Sequence, residues 1–215
     1  MPVIEHARKG RPEGYTSDNH RKWEVNNGLY QKHLELYLDH MYKLLEFTGA
    51  QNVLDAGCGE GIVFRAMQER GYKGKWTGFD FSDDAIKFAK IASPEADWHV
   101  GSAYDIPFKD EQFDVVFCSQ VLEHLPEPEK ALAELDRVAE HWLLISVPYE
   151  PIFRALTWFS VTFKLGGDPG HVNHWRPADF RRFMRTAGKL HAWERTTIYQ
   201  IGLVDVRPKH HSKPV

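Results

Sequence analysis

The sequence predicts an α/β fold in which a doubly wound, mostly parallel sheet of seven strands ends in an antiparallel last strand. Three observations support this prediction. Short apolar runs alternate with segments of helical periodicity between residues 52 and 147. A glycine-rich loop joins the first of these runs to the first helix. Two strand-like runs then follow one another near residue 200 with no helix between them. Alternating strands and helices form right-handed βαβ units, and such units give a parallel sheet.

Each element follows from its local pattern. The predicted strands, in chain order, are Asn52–Ala56, Lys75–Asp80, Asp97–Gly101, Phe113–Ser119, His141–Val147, Lys189–Thr196 and Ile201–Arg207. The predicted helices are Gly61–Glu69, Asp83–Ala92, Glu127–Val138 and Ala178–Ala187. Pro177 precedes the last helix at the first-turn position that proline favours. From Trp23 to Phe47, apolar residues recur at helical spacing and predict one or two N-terminal helices that end near Gly49.

The pattern divides the chain into an arm, one domain and a tail. Residues 1–20 are predicted to form a mobile arm, residues 21–207 a single domain, and residues 208–215 a loose tail. The alternation of strands and helices is interrupted at about 149–176. This insertion is apolar over Pro151–Leu165, which predicts a lid over a hydrophobic ligand. A contact with a second copy of the chain and a membrane-surface helix are the alternatives.

Composition narrows the classes of function. The net charge is −3 at pH 7, with no basic stripe, so we expect no nucleic-acid partner. No apolar run approaches the roughly 18 residues of a membrane span, and the first residues lack the apolar core of a signal peptide. We therefore expect no transmembrane segment and a cytoplasmic location. Cys58 and Cys118 fit no zinc spacing, which favours plain packing.

A ligand-binding loop lies at Val53–Gly61, where an apolar strand leads into Gly57, Gly59 and Gly61. Glycines let the backbone adopt positive φ and approach a ligand closely. Dinucleotide-binding folds use a related loop, but here the third glycine comes one residue early. Asp55, just before the loop, would repel a pyrophosphate and attract an ammonium or sulfonium group.

A second acidic residue, Asp80, ends the next predicted strand about 20 residues beyond the loop, where an acid can accept both hydroxyls of a ribose. The alternative role is that of a helix N-cap. Ser82 and Asp83 are better placed for capping, so the ribose interpretation is favoured.

Taken together, these segments resemble the class I S-adenosylmethionine (SAM)-dependent methyltransferases, a superfamily with a Rossmann-like fold. The resemblance covers roughly residues 50–150, and its specificity comes from the order and spacing of all four motifs. The four segments are Val53–Gly61, Gly78–Ala85, Gly101–Phe108 and Phe113–Pro126.

The resemblance implies SAM as the cofactor and assigns a role to each motif. The methionine part would be held by Asp55 and by the backbone of Ala56, Gly57, Cys58 and Gly59. Asp80 would bind the ribose and Phe81 would lie against the adenine, with Ser102 and Ala103 at its amino edge. Many relatives carry aspartate where this chain has Ser102, so this contact is weaker here. The backbone of Ser119 and Gln120 would lie near the transferred methyl group.

The acceptor is expected to be a small, partly hydrophobic molecule methylated at oxygen. Methyl transfer from a sulfonium is an in-line displacement, so the protein must position the acceptor and remove its proton. The candidate bases are His124, His171 and His174, and anchoring of the lid is their alternative role. The motif around Ser119 is not of the Asp/Asn-Pro-Pro-Tyr type, which argues against methylation of nucleic-acid amines.

A divalent metal is an alternative way to activate the acceptor. In some relatives a Glu-x-x-Glu-His segment and a later histidine bind a cation. Here Glu123, His124 and His171 could provide such a site, but Gln120 stands where the first glutamate would be, so one anionic ligand is lost. Metal-free catalysis is therefore favoured.

Two other functions remain open on the sequence. One is an NAD(P)-dependent oxidoreductase on a similar sheet, which Asp55 and the early third glycine disfavour. The other is a catalytically silent SAM-binding domain that serves protein interaction. A homodimer is the expected protein partner if the insertion is an interface.

Overall fold

A computed structural model of the protein describes residues 28–150 and 170–207. The predicted arm, most of the lid insertion, the tail and Trp23 lie outside the described residues. The described helices are α1 (Gly28–Thr48), α2 (Ile62–Glu69), α3 (Asp83–Ala92), α4 (Pro128–Val138) and α5 (Pro177–Ala187). The strands are β1 (Asn52–Ala56), β2 (Lys75–Asp80), β3 (Asp97–Val100), β4 (Phe113–Ser119), β5 (Ala139–Pro148), β6 (Lys189–Arg195) and β7 (Tyr199–Asp205).

The predicted sheet is confirmed. Its strand order is β3-β2-β1-β4-β5-β7-β6. The first five strands pair in parallel, and β7 lies antiparallel between β5 and β6. The order of the strands reverses between β1 and β4. Ligands of such sheets bind outside the carboxyl ends of the strands at this reversal, so the fold places the predicted loops around one crevice.

Several predicted element ends were wrong by one to two residues. The largest differences concern β5 and β7, because β7 pairs along β5 from Trp142↔Asp205 to Pro148↔Tyr199. This pairing extends the end of β5 to Pro148 and shifts β7 two residues earlier than predicted, whereas the earlier start of β5 comes from the pairing of Ala139 with Phe113 of β4. The turn before β7 is closed by Thr196, whose hydroxyl accepts a hydrogen bond from the Tyr199 amide at 3.1 Å. Such tertiary pairing is absent from local periodicity.

Helices cover both faces of the sheet. Residues of α1, α2 and α3 form one buried cluster with Val53, Trp76 and Phe117. Residues of α4 and α5 form the other with Leu54, Val116 and similar strand residues. Cys58 and Cys118 are both buried and free, in agreement with the packing role expected for them. No helix in the described ranges is long and apolar enough to span a bilayer.

Helix α1 is fixed over the sheet by polar contacts along its length. Glu35 and Asp39 pair with Arg70 at the end of α2, at 2.6 and 2.9 Å. His40 pairs with Glu194 of β6. These contacts connect α1 to the end of α2 on one side and to the edge strand β6 on the other, so the helix lies across one face of the sheet. The described residues contain one N-terminal helix rather than two.

Candidate functional site

The glycine loop is a backbone cradle held against β2. The amides of Gly57 and Cys58 donate to the Phe79 carbonyl at 2.8 and 3.0 Å. Gly57 has a φ of +79°, a region that other residues adopt only with strain. A Cβ at Gly57 would lie 2.3 Å from Val121 Cγ2, so the Val121 side chain fills the space that a side chain at residue 57 would need. The loop therefore offers main-chain atoms, and no side chain, at this position.

Asp80 connects this loop to the start of α3. Its Oδ2 accepts a hydrogen bond from the Gly59 amide and its Oδ1 accepts one from the Ser82 amide, each at 2.9 Å. Ser82 caps α3 through its own hydroxyl, which accepts the Ala85 amide at 3.2 Å. The capping role expected for Ser82 is therefore confirmed. A carboxylate offers about four lone-pair sites, so these two amide contacts are compatible with the expected binding of ribose hydroxyls.

Asp55 is the most unusual ionisable group of the crevice. It is 1% exposed, and among the described residues neither carboxylate oxygen has a hydrogen-bond partner. Burial, and then the charge of Asp80, raise the pKa of Asp55 to about 7. The Trp76 indole opposes this rise in pKa, although its buried nitrogen makes no hydrogen bond. A buried carboxylate without partners is expected to receive a cationic ligand.

The residues expected at the adenine lie along the next edge of the crevice. Phe81 is 84% exposed, so its ring is accessible for stacking. The Gly101 amide donates to the Asp80 carbonyl at 3.0 Å and joins the third motif to the second. The Ser102 hydroxyl accepts a hydrogen bond from the Tyr104 amide at 3.2 Å and so stabilises the turn in which it lies. Ala103 is half-buried beside it. The adenine roles of these residues stay predictions.

The end of β4 is held by groups that the sequence did not single out. The Tyr37 hydroxyl is hydrogen bonded to Ser119 Oγ and to Ser146 Oγ, each at 2.6 Å. The Gln120 amide donates to the Ser146 carbonyl at 3.0 Å. Gln120 has a φ of +59°, a strained conformation for a residue with a side chain. In sequence, Tyr37 and Ser146 are indistinguishable from core residues of an amphipathic helix and a buried strand.

Two of the three candidate bases lie together. The rings of His124 and His171 are 4.9 Å apart between centroids, edge to face. The segment that carries His171 is docked on the 3-10 turn Leu122–His124, because the amides of Val172 and Asn173 donate to the Glu123 carbonyl at 2.9 and 3.0 Å. Potential ligand atoms of Glu123, His124 and His171 lie within 4.8 Å of one another. The structure thus assembles the predicted cluster from two distant segments.

His174 takes a different partner. Its Nδ1 lies 3.4 Å from Oε1 of Glu150, whose side chain is buried while the imidazole is half-exposed. This pair ties the segment after the insertion to the end of β5. The contact fits the anchoring role that was the alternative for His174.

Comparisons with known proteins agree with this architecture. A family model described as a methyltransferase domain matches residues 54–141. A ubiquinone biosynthesis O-methyltransferase of Ralstonia nicotianae is 29% identical over 196 residues, which are 85% of this chain and 81% of that protein.

Solved structures show the same fold. The magnesium protoporphyrin IX methyltransferase of Synechocystis PCC 6803 with bound SAH superposes with a TM-score of 0.66. It is 17% identical, and the match covers 94% of this chain and 93% of that one. The [4+2]-cyclase SpnF superposes with a TM-score of 0.65 at 19% identity over 84% of both chains. The fold alone therefore does not determine the reaction.

Family membership rests on the joint evidence of motifs, crevice and matched domain. The four motifs lie on the strands and loops that the resemblance requires, around one crevice at the sheet reversal. Asp55, the Gly57 cradle and Asp80 fit a cationic amino acid joined to a ribose better than a pyrophosphate. The methyltransferase domain covers the same segments. The chain belongs to the class I SAM-dependent methyltransferases.

Proposed function

We propose that the protein methylates a hydroxyl oxygen of a small, partly apolar aromatic molecule. The observation that carries the donor half of this proposal is Asp55, a fully buried carboxylate whose oxygens have no hydrogen-bond partner among the described residues. The acceptor half is supported by relatives named as O-methyltransferases of ubiquinone biosynthesis. A cytoplasmic location, the absence of a nucleic-acid partner and a homodimer remain predictions.

The residues of the crevice divide the work of binding the donor. Asp55 and the backbone from Ala56 to Gly59 would hold the amino-acid part, and Asp80 would hold the ribose. Bound SAM supplies a methyl group already activated by a sulfonium. The chain therefore needs no group that attacks the methyl carbon. Its remaining tasks are to align the acceptor oxygen and to take the hydroxyl proton.

His171 and His124 are the bases that this proposal favours. They lie at the carboxyl end of β4, and His124 Nδ1 faces the Gly170 carbonyl at 3.4 Å. A neutral imidazole accepts a proton from a phenolic hydroxyl near neutral pH. Because the two rings meet edge to face, a proton accepted on one imidazole lies near the other.

Transfer of label from [methyl-14C]SAM tests the proposed function. With 4-octylcatechol as the acceptor, we expect a labelled ether that is extractable into organic solvent. Asp55→Asn provides the control for donor binding. Calorimetric binding of SAM without transfer to the catechol would contradict the acceptor class and favour a silent SAM-binding domain. Binding of NAD in place of SAM would favour the oxidoreductase.

A metal centre is the second candidate for acceptor activation, supported by the assembly of Glu123, His124 and His171. The donor set of one carboxylate and two imidazoles suits a cation such as Zn²⁺ or Mn²⁺. The position of Gln120 argues against this metal centre. With its amide nitrogen turned toward Glu123, the nitrogen donates to Glu123 Oε1 at 3.2 Å and the oxygen accepts from the Val147 amide at 3.3 Å. In this orientation the Glu123 carboxylate already accepts a hydrogen bond from Gln120.

We therefore expect catalysis that survives EDTA and depends on the histidine pair. Loss of a general base lowers kcat roughly 100-fold or more, so His171→Ala or His124→Ala should do so. His141→Ala at the opposite end of the sheet is the matched control. Turnover of the purified protein should be equal before and after EDTA treatment. Activity that disappears with EDTA and returns with Zn²⁺ or Mn²⁺ would support the metal centre instead.

A further inference from the structure

One face of helix α1 carries a row of hydrogen-bonding aromatic side chains beside the crevice. Tyr30, His33 and Tyr37 are spaced three and four residues apart, which places them on the same side of the helix. This side meets Tyr199 at the start of β7. The Tyr37 and Tyr199 rings are 4.7 Å apart, and the His33 and Tyr199 rings are 6.2 Å apart. The Tyr30 side chain also interacts with Tyr199, which influences the pKa of both hydroxyl groups.

This aromatic row is continuous with the point of methyl transfer. The Tyr37 hydroxyl contacts Ser119 Oγ at the end of β4, where the methyl donor is expected. His33 lies one helical turn before Tyr37, against β7. In the sheet, β7 is separated from β4 by β5, whereas the cofactor motifs follow β1, β2, β3 and β4. His33 is therefore on the side of the crevice that the cofactor motifs do not use.

His33 has a hydrogen-bonding atom that no described residue satisfies. Its Nε2 is buried and lacks a hydrogen-bond partner. Burial also lowers the pKa of this imidazole, which favours the neutral ring, whose Nε2 either donates or accepts according to the tautomer. Buried polar atoms in native proteins are usually paired, and each exception needs an explanation; beside a binding crevice, a ligand is one that can be tested.

We propose that His33 is a specificity-determining residue that hydrogen bonds through Nε2 to an oxygen substituent of the acceptor. The acceptor ring would lie against Tyr37 and Tyr199, with its reacting hydroxyl toward the His124 and His171 pair. This inference rests on the proposed function. It adds a second polar contact, which fixes the orientation of an aromatic acceptor bearing two oxygen substituents and so selects the oxygen that is methylated.

Two substitutions at His33 separate hydrogen bonding from packing. His33→Gln retains a polar group near the position of Nε2, whereas His33→Leu retains bulk without hydrogen-bonding capacity. Lys32→Ala, at the exposed neighbouring position, is the control. KM and kcat are measured with 4-octylcatechol and with 4-octylphenol, which lacks the second oxygen. Calorimetry gives the Kd for SAM, and thermal unfolding gives the Tm.

We expect His33→Leu to raise the KM for 4-octylcatechol about 10-fold, the effect of one lost hydrogen bond. The KM for 4-octylphenol, the Kd for SAM and the Tm should be little changed, and His33→Gln should recover most of the loss. An unchanged KM for the catechol in His33→Leu, with the wild type active, would overturn the inference and leave the proposed function intact. Equal losses for both acceptors, or a loss confined to kcat, would also overturn it. A wild type that binds SAM but methylates neither acceptor would overturn both.

Discussion

Replacement of Asp55 by asparagine is expected to weaken SAM binding about 100-fold. The carboxylate is fully buried and has no other described hydrogen-bond partner, so its charge is available to an ammonium group. Hydrogen bonds between charged groups in buried sites contribute about 2–5 kcal/mol when one partner is removed. Isothermal titration with SAM measures the change. Asp114→Asn is the matched control, since Asp114 accepts backbone amides at the opposite end of the adjacent strand.

The same substitution is expected to stabilise the ligand-free protein above neutral pH. The pKa of Asp55 rises from its ordinary value of 3.8 to about 7 on folding, so the folded state binds the proton more tightly than the unfolded chain. The contribution of Asp55 to the free energy of unfolding is therefore most favourable below pH 4. It declines as the pH rises toward 7 and is constant above pH 7. This rise in pKa corresponds to a loss of about 4 kcal/mol in the free energy of unfolding when the carboxylate is ionised. Asparagine would recover only part of this loss, because its amide is also polar and buried.

SAM affinity should follow the opposite course with pH. A cation near Asp55 favours the ionised carboxylate, so binding should tighten as the pH rises toward about 7 and then level off. Denaturant unfolding at pH 6 and 8, with and without SAM, measures both effects. A wild-type affinity for SAM that is independent of pH between 5.5 and 8 would contradict the assignment of the ammonium group to Asp55.

Replacement of Gly57 by alanine is the second change with a large expected effect. The left-handed conformation costs a residue with a side chain about 1–2 kcal/mol. The new methyl group would also lie 2.3 Å from Val121 Cγ2, and overpacking of this kind costs about 1–3 kcal/mol. Because relief of the clash must move the cradle or the residue that follows Gln120, we expect SAM binding to be lost as well.

Gly49→Ala separates the two causes. Gly49 has a φ of +66°, and no atom lies within 4 Å of the Cβ position, so this variant has the strain without the clash. It lies after α1, outside the cofactor motifs. We expect a loss of about 1 kcal/mol in the free energy of unfolding, with SAM affinity unchanged. If Gly57→Ala binds SAM as tightly as Gly49→Ala does, the cradle does not contact the donor.

The sequence was informative wherever a function requires a particular residue type at a fixed spacing. The glycine cradle and the acidic ends of the first two strands were recognisable because positive φ, the expected binding of a cation at Asp55 and that of ribose hydroxyls at Asp80 restrict the residues at these positions. The seven strands and their alternation with helices followed from periodicity. The ends of β5 and β7 did not, because they depend on antiparallel pairing with a partner about 60 residues away.

By itself, then, the sequence determined the fold, the donor and the motifs proposed to hold it, because these depend on local pattern and on side-chain chemistry along consecutive residues. Only the tertiary structure showed that His124 and His171 meet while His174 pairs with Glu150. Only the tertiary structure placed Tyr37 over Ser119 and left Nε2 of His33 buried without a described partner. The physical reason is that the proposed acceptor side is built from α1, the turn after β4 and β7. Their contacts arise only on packing and leave no spacing rule in the chain.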